Sequence, residues 1–347
     1  MSDFRFAVAG SGRIARKFVG GLPYAEGITF AGAASRSFER SKKLVSEFSQ
    51  DFPEAKAYAS YEDLAADPTV DAVYVANLNP QHEEAALLFL RAGKAVLCEK
   101  PFALNAPSAV RMIEQARKSD VFLMEAMWTR FLPVSSKVRT WIKEGRIGDV
   151  IAANCDFGMV LMTSLDNRTA VPEMGGGALL DLGIYPVSYF SWIFGGPPQS
   201  IQTTASLADT GVDASFDIIF YYDCHRSKFS FIPRTAKATV AIDRNLPNEM
   251  QIIGTEGMIR VHSFWMADSA TLYKKTEDGW GFDTPTETYA PSWEGTGYQY
   301  EAMEVCRQVR AGHKESDVMP LHETLSLMDT MDSLRKEWGV VFPQEKE

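Results

Sequence analysis

The feature that most constrains this chain is a repeated pairing in its first third. Short apolar runs, each the length of one strand, alternate with amphipathic stretches. Phe6–Ala9, Ile28–Ala34, Ala72–Val75, Ala95–Cys98 and Val121–Met124 are the runs; Glu39–Phe48, Gln81–Ala92 and Ser108–Lys118 carry apolar residues at three- and four-residue spacing. Runs that are apolar throughout suit strands covered on both faces. Strands alternating with helices predict a parallel, doubly wound sheet. Past about residue 125 the rhythm changes. A helix over Val134–Glu144 is followed by period-two stretches at Phe216–Phe220, Lys228–Ile232, Lys237–Ile242, Met250–Ile253, Met258–Val261 and Thr271–Lys275, then by helices near Tyr298–Arg310 and Leu321–Trp338. The expected class is α/β, with a parallel sheet over residues 1–125 and an α/β domain with a large, open, mostly antiparallel sheet over 126–347.

The first run ends in Gly10-Ser11-Gly12-Arg13-Ile14-Ala15. Glycines at this spacing, after a strand and opening a helix, let the backbone approach a pyrophosphate and offer it free N–H groups. A structural turn is the competing reading. The second run ends in Ala34-Ser35-Arg36-Ser37, where an NAD binder usually carries Asp or Glu. A hydroxyl and a guanidinium suit a 2′-phosphate, so Ser35 and Arg36 point to NADP(H) over NAD(H). Alternatively Arg36 is a solvated residue at a helix start. After the fourth run, Asn77, Asn79 and His82 either touch the nicotinamide ribose or cap the next helix.

Glu99-Lys100-Pro101 closes the following run. An ammonium there lies at the mouth of a dinucleotide crevice, where it can hydrogen-bond a reacting hydroxyl or lower the pKa of a neighbouring phenol. A second constellation is Gly175-Gly176-Gly177-Ala178-Leu179-Leu180-Asp181-Leu182-Gly183-Ile184-Tyr185-Pro186. Asp181 and Tyr185 are four apart and share a helix face, which suits proton transfer but also suits a surface acid and a core tyrosine. Pro186 should distort that helix.

These motifs, with Asp71–Val75 leading to Asn79-Pro80-Gln81-His82, Gly93–Pro101 and Ile253-Gly254-Thr255-Glu256-Gly257, resemble the Gfo/Idh/MocA oxidoreductase family over essentially the whole chain. The resemblance implies an N-terminal Rossmann domain, a C-terminal sheet that often forms an oligomer interface, and NAD(P)-dependent oxidation of a sugar-like alcohol with Lys100 in the active site and Glu99 beside it. Many members carry histidine where this chain has Tyr185. Together with Met124–Phe131, that departure is similar to the dihydrodiol dehydrogenase and NADP-dependent D-xylose dehydrogenase subgroup. On that pattern Tyr185 is the acid/base, Lys100 tunes it and Asp181 orients the pair. Trp128 and Phe157 are pocket walls or core packing.

A net charge of −10 argues against general nucleic-acid or membrane-surface binding. The N-terminus lacks a signal-peptide pattern, and the four scattered cysteines carry no CxxC, so a cytoplasmic chain with free thiols and no bound metal is expected. The partner is then a small polyol, sugar or diol, with a homo-oligomer through the C-terminal sheet. A non-catalytic NADP(H)-binding sensor, and a lyase or glycosidase-like enzyme that retains its cofactor, are the alternatives.

Overall fold

The computed structural model describes residues 3–226, 230–279, 281–282 and 284–345. The chain divides into two compact units, Met1–Phe131 with Trp293–Met328, and Leu132–Ser292 with Asp329–Glu347. This differs from the sequence reading, which assigned all of 126–347 to a second domain.

In the first unit the elements run β1 (Phe4–Ala9), α1 (Arg13–Gly21), β2 (Ile28–Ala34), α2 (Phe38–Glu47), β3 (Lys56–Tyr58), α3 (Tyr61–Ala66), β4 (Ala72–Val75), α4 (His82–Arg91), β5 (Ala95–Glu99), α5 (Ala106–Ser119) and β6 (Leu123–Ala126). The sheet order is β3-β2-β1-β4-β5-β6, every pair parallel. That is the doubly wound order whose crevice opens between β1 and β4 at their carboxyl ends. Strands β4, β5 and β6 are buried at every position, which is why their sequences show no alternation.

The second unit begins with α6 (Pro133–Lys143) and β7 (Val150–Gly158). A π-helical turn over Leu179–Gly183 then leads directly into α7 (Ile184–Phe194). Pro186, expected to distort this helix, lies just past the π turn. Its missing N–H and its ring forbid a regular α-bond to the preceding turn.

The strands β8 (Ser200–Leu207), β9 (Asp213–Arg226), β10 (Phe231–Ala241), β11 (Met250–Gly254), β12 (Gly257–His262), β13 (Ser269–Lys274) and β14 (Thr284–Tyr289) complete the unit. With β7 they form an eight-stranded sheet in the order β14-β13-β12-β11-β7-β10-β9-β8. Only β7 with β10 is parallel, so the sheet is mostly antiparallel as expected. Two expected strands, Lys228–Ile232 and Lys237–Ile242, belong to one strand, β10, with a register shift between Pro233 and Thr235; residues 227–229 lie outside the described residues.

Helix α8 (Gln299–Arg310) belongs to the first unit, and α9 spans Leu321–Trp338. Among the described residues no helix is long and apolar enough to cross a membrane. Cys98, Cys155, Cys224 and Cys306 are free thiols.

Candidate active site

In the first unit, the turn after β1 is shaped for close approach. Gly10 has φ +130°, and a Cβ there would lie 2.5 Å from the Ala76 carbonyl oxygen at the end of β4. A Cβ at Gly12 would meet nothing within 4 Å. Gly12 caps α1 without any side-chain hydrogen bond, so the first-turn N–H groups of Arg13 and Ile14 face an open cradle. An uncapped helix start beside open backbone fits a dinucleotide pyrophosphate. Arg16 fixes the turn from below: it donates to the carbonyls of Ser11 (2.5 Å) and Gly12 (3.2 Å) and pairs with Glu47 on α2.

At the end of β2, Arg36 is exposed. Ser35 is buried: its hydroxyl donates to the Ser37 carbonyl (2.8 Å) and accepts from Ser41 (3.1 Å). The hydroxyl that the sequence reading gave to a 2′-phosphate is engaged inside its own loop. Arg36 is the group presented to solvent.

The loops after β4 and β5 are joined by His82. Its ring is 1% exposed, with Nδ1 2.9 Å from the Pro101 carbonyl and Nε2 3.3 Å from the Asn77 carbonyl. Burial pushes the imidazole down to about 4, so it is neutral at physiological pH. His82 therefore clamps two loops at the crevice rather than presenting a charge. Asn79 is also buried, in a 3₁₀ turn, and Asn77 Nδ2 donates to the Gln81 carbonyl (3.2 Å).

Lys100 is half-buried at the end of β5. Its backbone N–H donates to Glu99 Oε2 (3.0 Å), while Glu99 Oε1 accepts a short hydrogen bond from Tyr74. Beside them the carboxyl of Glu301, from α8, is pushed far above its usual range by burial and by the Glu99 charge. Trp128 stacks on Tyr298 with ring centroids 4.8 Å apart and is only 4% exposed.

In the second unit, the glycine triplet folds onto the turn that contains Arg168. Gly177 N–H donates to the Thr169 carbonyl (2.8 Å), and a Cβ at Gly176 would lie 2.7 Å from that same oxygen. This brings Arg168 Nη2 to 2.8 Å from Asp181 Oδ1. The first N–H groups after the glycines, those of the buried Ala178 and Leu179, are accepted by the buried Asp213 at the start of β9, with Leu179 N–H at 2.6 Å from Oδ2.

Tyr185, 5% exposed, follows on α7. Its ring packs edge-on against Phe157 (5.7 Å), which also meets Phe264 edge-on (5.2 Å) and stacks with Trp265 (5.8 Å). Phe157 is wholly buried and Trp265 half-buried, so Trp265 is the partly open face of this aromatic cluster. One turn on, Tyr189 donates to the Phe264 carbonyl (3.0 Å) and meets Ser135 Oγ (2.7 Å), fixing α7 against α6.

The structure thus places Asp181 in the π turn and Tyr185 at the start of the helix that follows it, and gathers Gly10, Gly12, Asn77, Asn79, His82, Glu99 and Lys100 at the carboxyl ends of one parallel sheet. Sequence reasoning missed Arg168, Asp213 and Trp265. The glycine triplet was a signal for Asp213, since a helix opening on glycines needs an acceptor from elsewhere for its free N–H groups.

A doubly wound sheet with an uncapped glycine turn at its switch point defines a dinucleotide-binding protein. Residues 4–127 match the oxidoreductase family model with NAD-binding Rossmann fold, and residues 135–260 match the GFO/IDH/MocA C-terminal domain. The chain belongs to the Gfo/Idh/MocA oxidoreductase family. It is 37% identical to trans-1,2-dihydrobenzene-1,2-diol dehydrogenase of Danio rerio, over 99% of each chain. It is 38% identical to the protein of that name from Homo sapiens, over 94% of this chain and 93% of the relative. Among solved structures, aldose-aldose oxidoreductase from Caulobacter crescentus matches with a TM-score of 0.82 at 21% identity, covering 97% of this chain and 98% of that one. The 3-ketoreductase KijD10 from Actinomadura kijaniata, in complex with NADP and TDP-benzene, matches with a TM-score of 0.78 at 23% identity, covering 96% and 98%. Likeness at this identity speaks to the fold, and the full-length relatives mark this chain as a dehydrogenase.

Proposed function

We propose that this protein oxidises a secondary or anomeric alcohol carbon of a cyclic diol or sugar, preferring NADP, with Tyr185 as acid/base aided by Asp181 and Lys100. The observation that carries the reading is the π turn that runs straight into the helix of Tyr185. Tyr185 is buried against Phe157, and Asp181, in that turn, is pinned by Arg168 at 2.8 Å. A carboxylate fixed by an ion pair in the turn that delivers a buried phenol suits orienting that phenol for proton transfer.

The dinucleotide, when bound, supplies the hydride acceptor. The backbone of Gly10, Gly12, Arg13 and Ile14 would hold its pyrophosphate, Arg36 a 2′-phosphate, and the loops clamped by His82 the nicotinamide ribose. Tyr185 takes the proton of the substrate hydroxyl. An ordinary phenol has a pKa near 10, so an ammonium is needed to favour the phenolate at neutral pH, and Lys100 is assigned that task. The half-buried Trp265, backed by the buried Phe157, offers a ring face, which suits an unsaturated cyclic diol or the C–H face of a sugar. The dihydrodiol dehydrogenases of matching length favour the diol.

The test is an absorbance and fluorescence screen of the purified protein with NADP and NAD against trans-1,2-dihydrobenzene-1,2-diol, D-xylose, other aldoses and inositols. Reduction of NADP by a diol or sugar, with kcat/KM at least tenfold above that for NAD, is the expected result. NAD preferred tenfold overturns the cofactor assignment. Tight NADP(H) binding with no turnover on the panel favours a sensor instead.

A further inference from the structure

We propose that Asp213 is a positioning residue for proton transfer: its carboxylate grips the N–H groups of Ala178 and Leu179 and thereby sets where Asp181 and Tyr185 are presented. The inference rests on the acid/base reading of Tyr185. An ordinary helix cap is local and comes from the residue at the helix start. Here Ala178 holds that place and cannot cap, and the acceptor arrives from 34 residues away, with Leu179 N–H at 2.6 Å. Asp213 is 1% exposed. Burial pushes its carboxyl up to about 7, against the opposing pull of the Leu179 and Ala178 N–H groups, its own backbone N–H and the Arg335 charge, and what fixes its place is the short contact to Leu179 N–H.

The approach is so close that a Cβ on Gly177 would collide with Asp213 Oδ1. Gly177 also has φ +117°, a conformation that other residues rarely adopt. Three residues along the same strand, Phe216 packs onto Gly183 at the far end of the π turn, where a Cβ would lie 2.6 Å from its ring. Strand β9 therefore holds both ends of Leu179–Gly183, the turn that carries Asp181 and delivers the chain to Tyr185. A π turn is intrinsically disfavoured relative to an α turn and needs such holding to keep its register.

Asp213→Asn is nearly isosteric but turns an amide NH₂ toward one of the two N–H donors. With trans-1,2-dihydrobenzene-1,2-diol, or whichever panel member is turned over, kcat should fall at least tenfold while KM changes less than threefold. NADPH binding, read by fluorescence, should stay within twofold. In a Tyr185→Phe background the same substitution should cost less than twofold in kcat, because a misplaced group that is already absent has nothing left to lose. Wild-type kcat in folded Asp213→Asn overturns the proposal. Losses that multiply in the double variant also overturn it, since they mean that Asp213 acts without Tyr185, and they leave the acid/base reading intact. Wild-type turnover of the single Tyr185→Phe variant sinks the acid/base reading itself. Should Asp213→Asn fail to fold, Gly177→Ala, which presses a methyl group on the same carboxylate, should give the same split between kcat and KM; an undiminished kcat there is the overturning result.

Discussion

Glu125, on β6, shows how burial sets charge at the scale of single residues. Its side chain is fully buried, and loss of solvent raises its carboxyl from the usual 4.5 to about 7, against the opposing pull of Arg130. Arg130 is itself held by Glu323 through two hydrogen bonds (2.8 and 2.6 Å). A carboxyl whose folded pKa is raised keeps a proton that the unfolded chain releases. Stability is therefore greatest below about 4.5 and falls as pH climbs to about 7, by on the order of 3 kcal/mol in total. Glu125→Gln removes that loss. The variant should melt close to wild type at pH 5 and several degrees above it at pH 8. His82, with its lowered pKa, contributes the opposite slope, but it does so equally in both proteins. A gap of the same size at both pH values would contradict the assignment. Residues of this kind are hard to see in a sequence. Lys100 and Tyr185 can be singled out in the sequence because each sits in a contiguous motif with a neighbouring glycine turn or strand end. Arg168 and Asp213 cannot, because their partners are 13 and 34 residues away; the glycine triplet shows that an acceptor is needed but not which residue supplies it.

At the scale of elements, the eight-stranded sheet has one face packed and one open. Along β9 the even-numbered side chains Phe216, Ile218, Phe220 and Tyr222 are buried, with Phe220 against Phe190 and Tyr222 stacked on Phe194 at 4.2 Å. Between them Asp217, Ile219 and Tyr221 look outward. Strand register lines Tyr221, Thr235, Ala152, Ile253, Met258 and Tyr273 across that outer face. A row mixing apolar side chains with threonine suits self-association. The homo-oligomer through the C-terminal sheet expected from the sequence would use this face. Sedimentation should show a particle of twice 38.5 kDa that Ile253→Asp returns to the monomer, and a wild-type monomer would refute it. The sequence shows the strands with clean alternation and hides the rest for physical reasons. Edge strands β8 and β14 are polar and largely exposed, and β7 has no simple period. Pro233, with its register shift, breaks the pattern of β10 and made it resemble two strands.

At the scale of the whole molecule, the doubly wound sheet and the second sheet were both legible, since hydrophobic period reports directly on which faces are covered. The return of Trp293–Met328 to the first unit was not, because an amphipathic helix records that one face is buried but not against what. The consequence for function is that each unit brings its own chemistry. The first carries the glycine turn and Lys100; the second carries Asp181, Tyr185 and the strand that grips their helix. The central claim is that Tyr185 moves the proton, and the most direct measurement is single-turnover and steady-state kinetics of Tyr185→Phe beside a fluorescence titration with NADPH. The account predicts a fall in kcat of at least about 100-fold, the size typical of a lost acid/base group, with NADPH affinity unchanged within twofold. Wild-type turnover in that variant would contradict it.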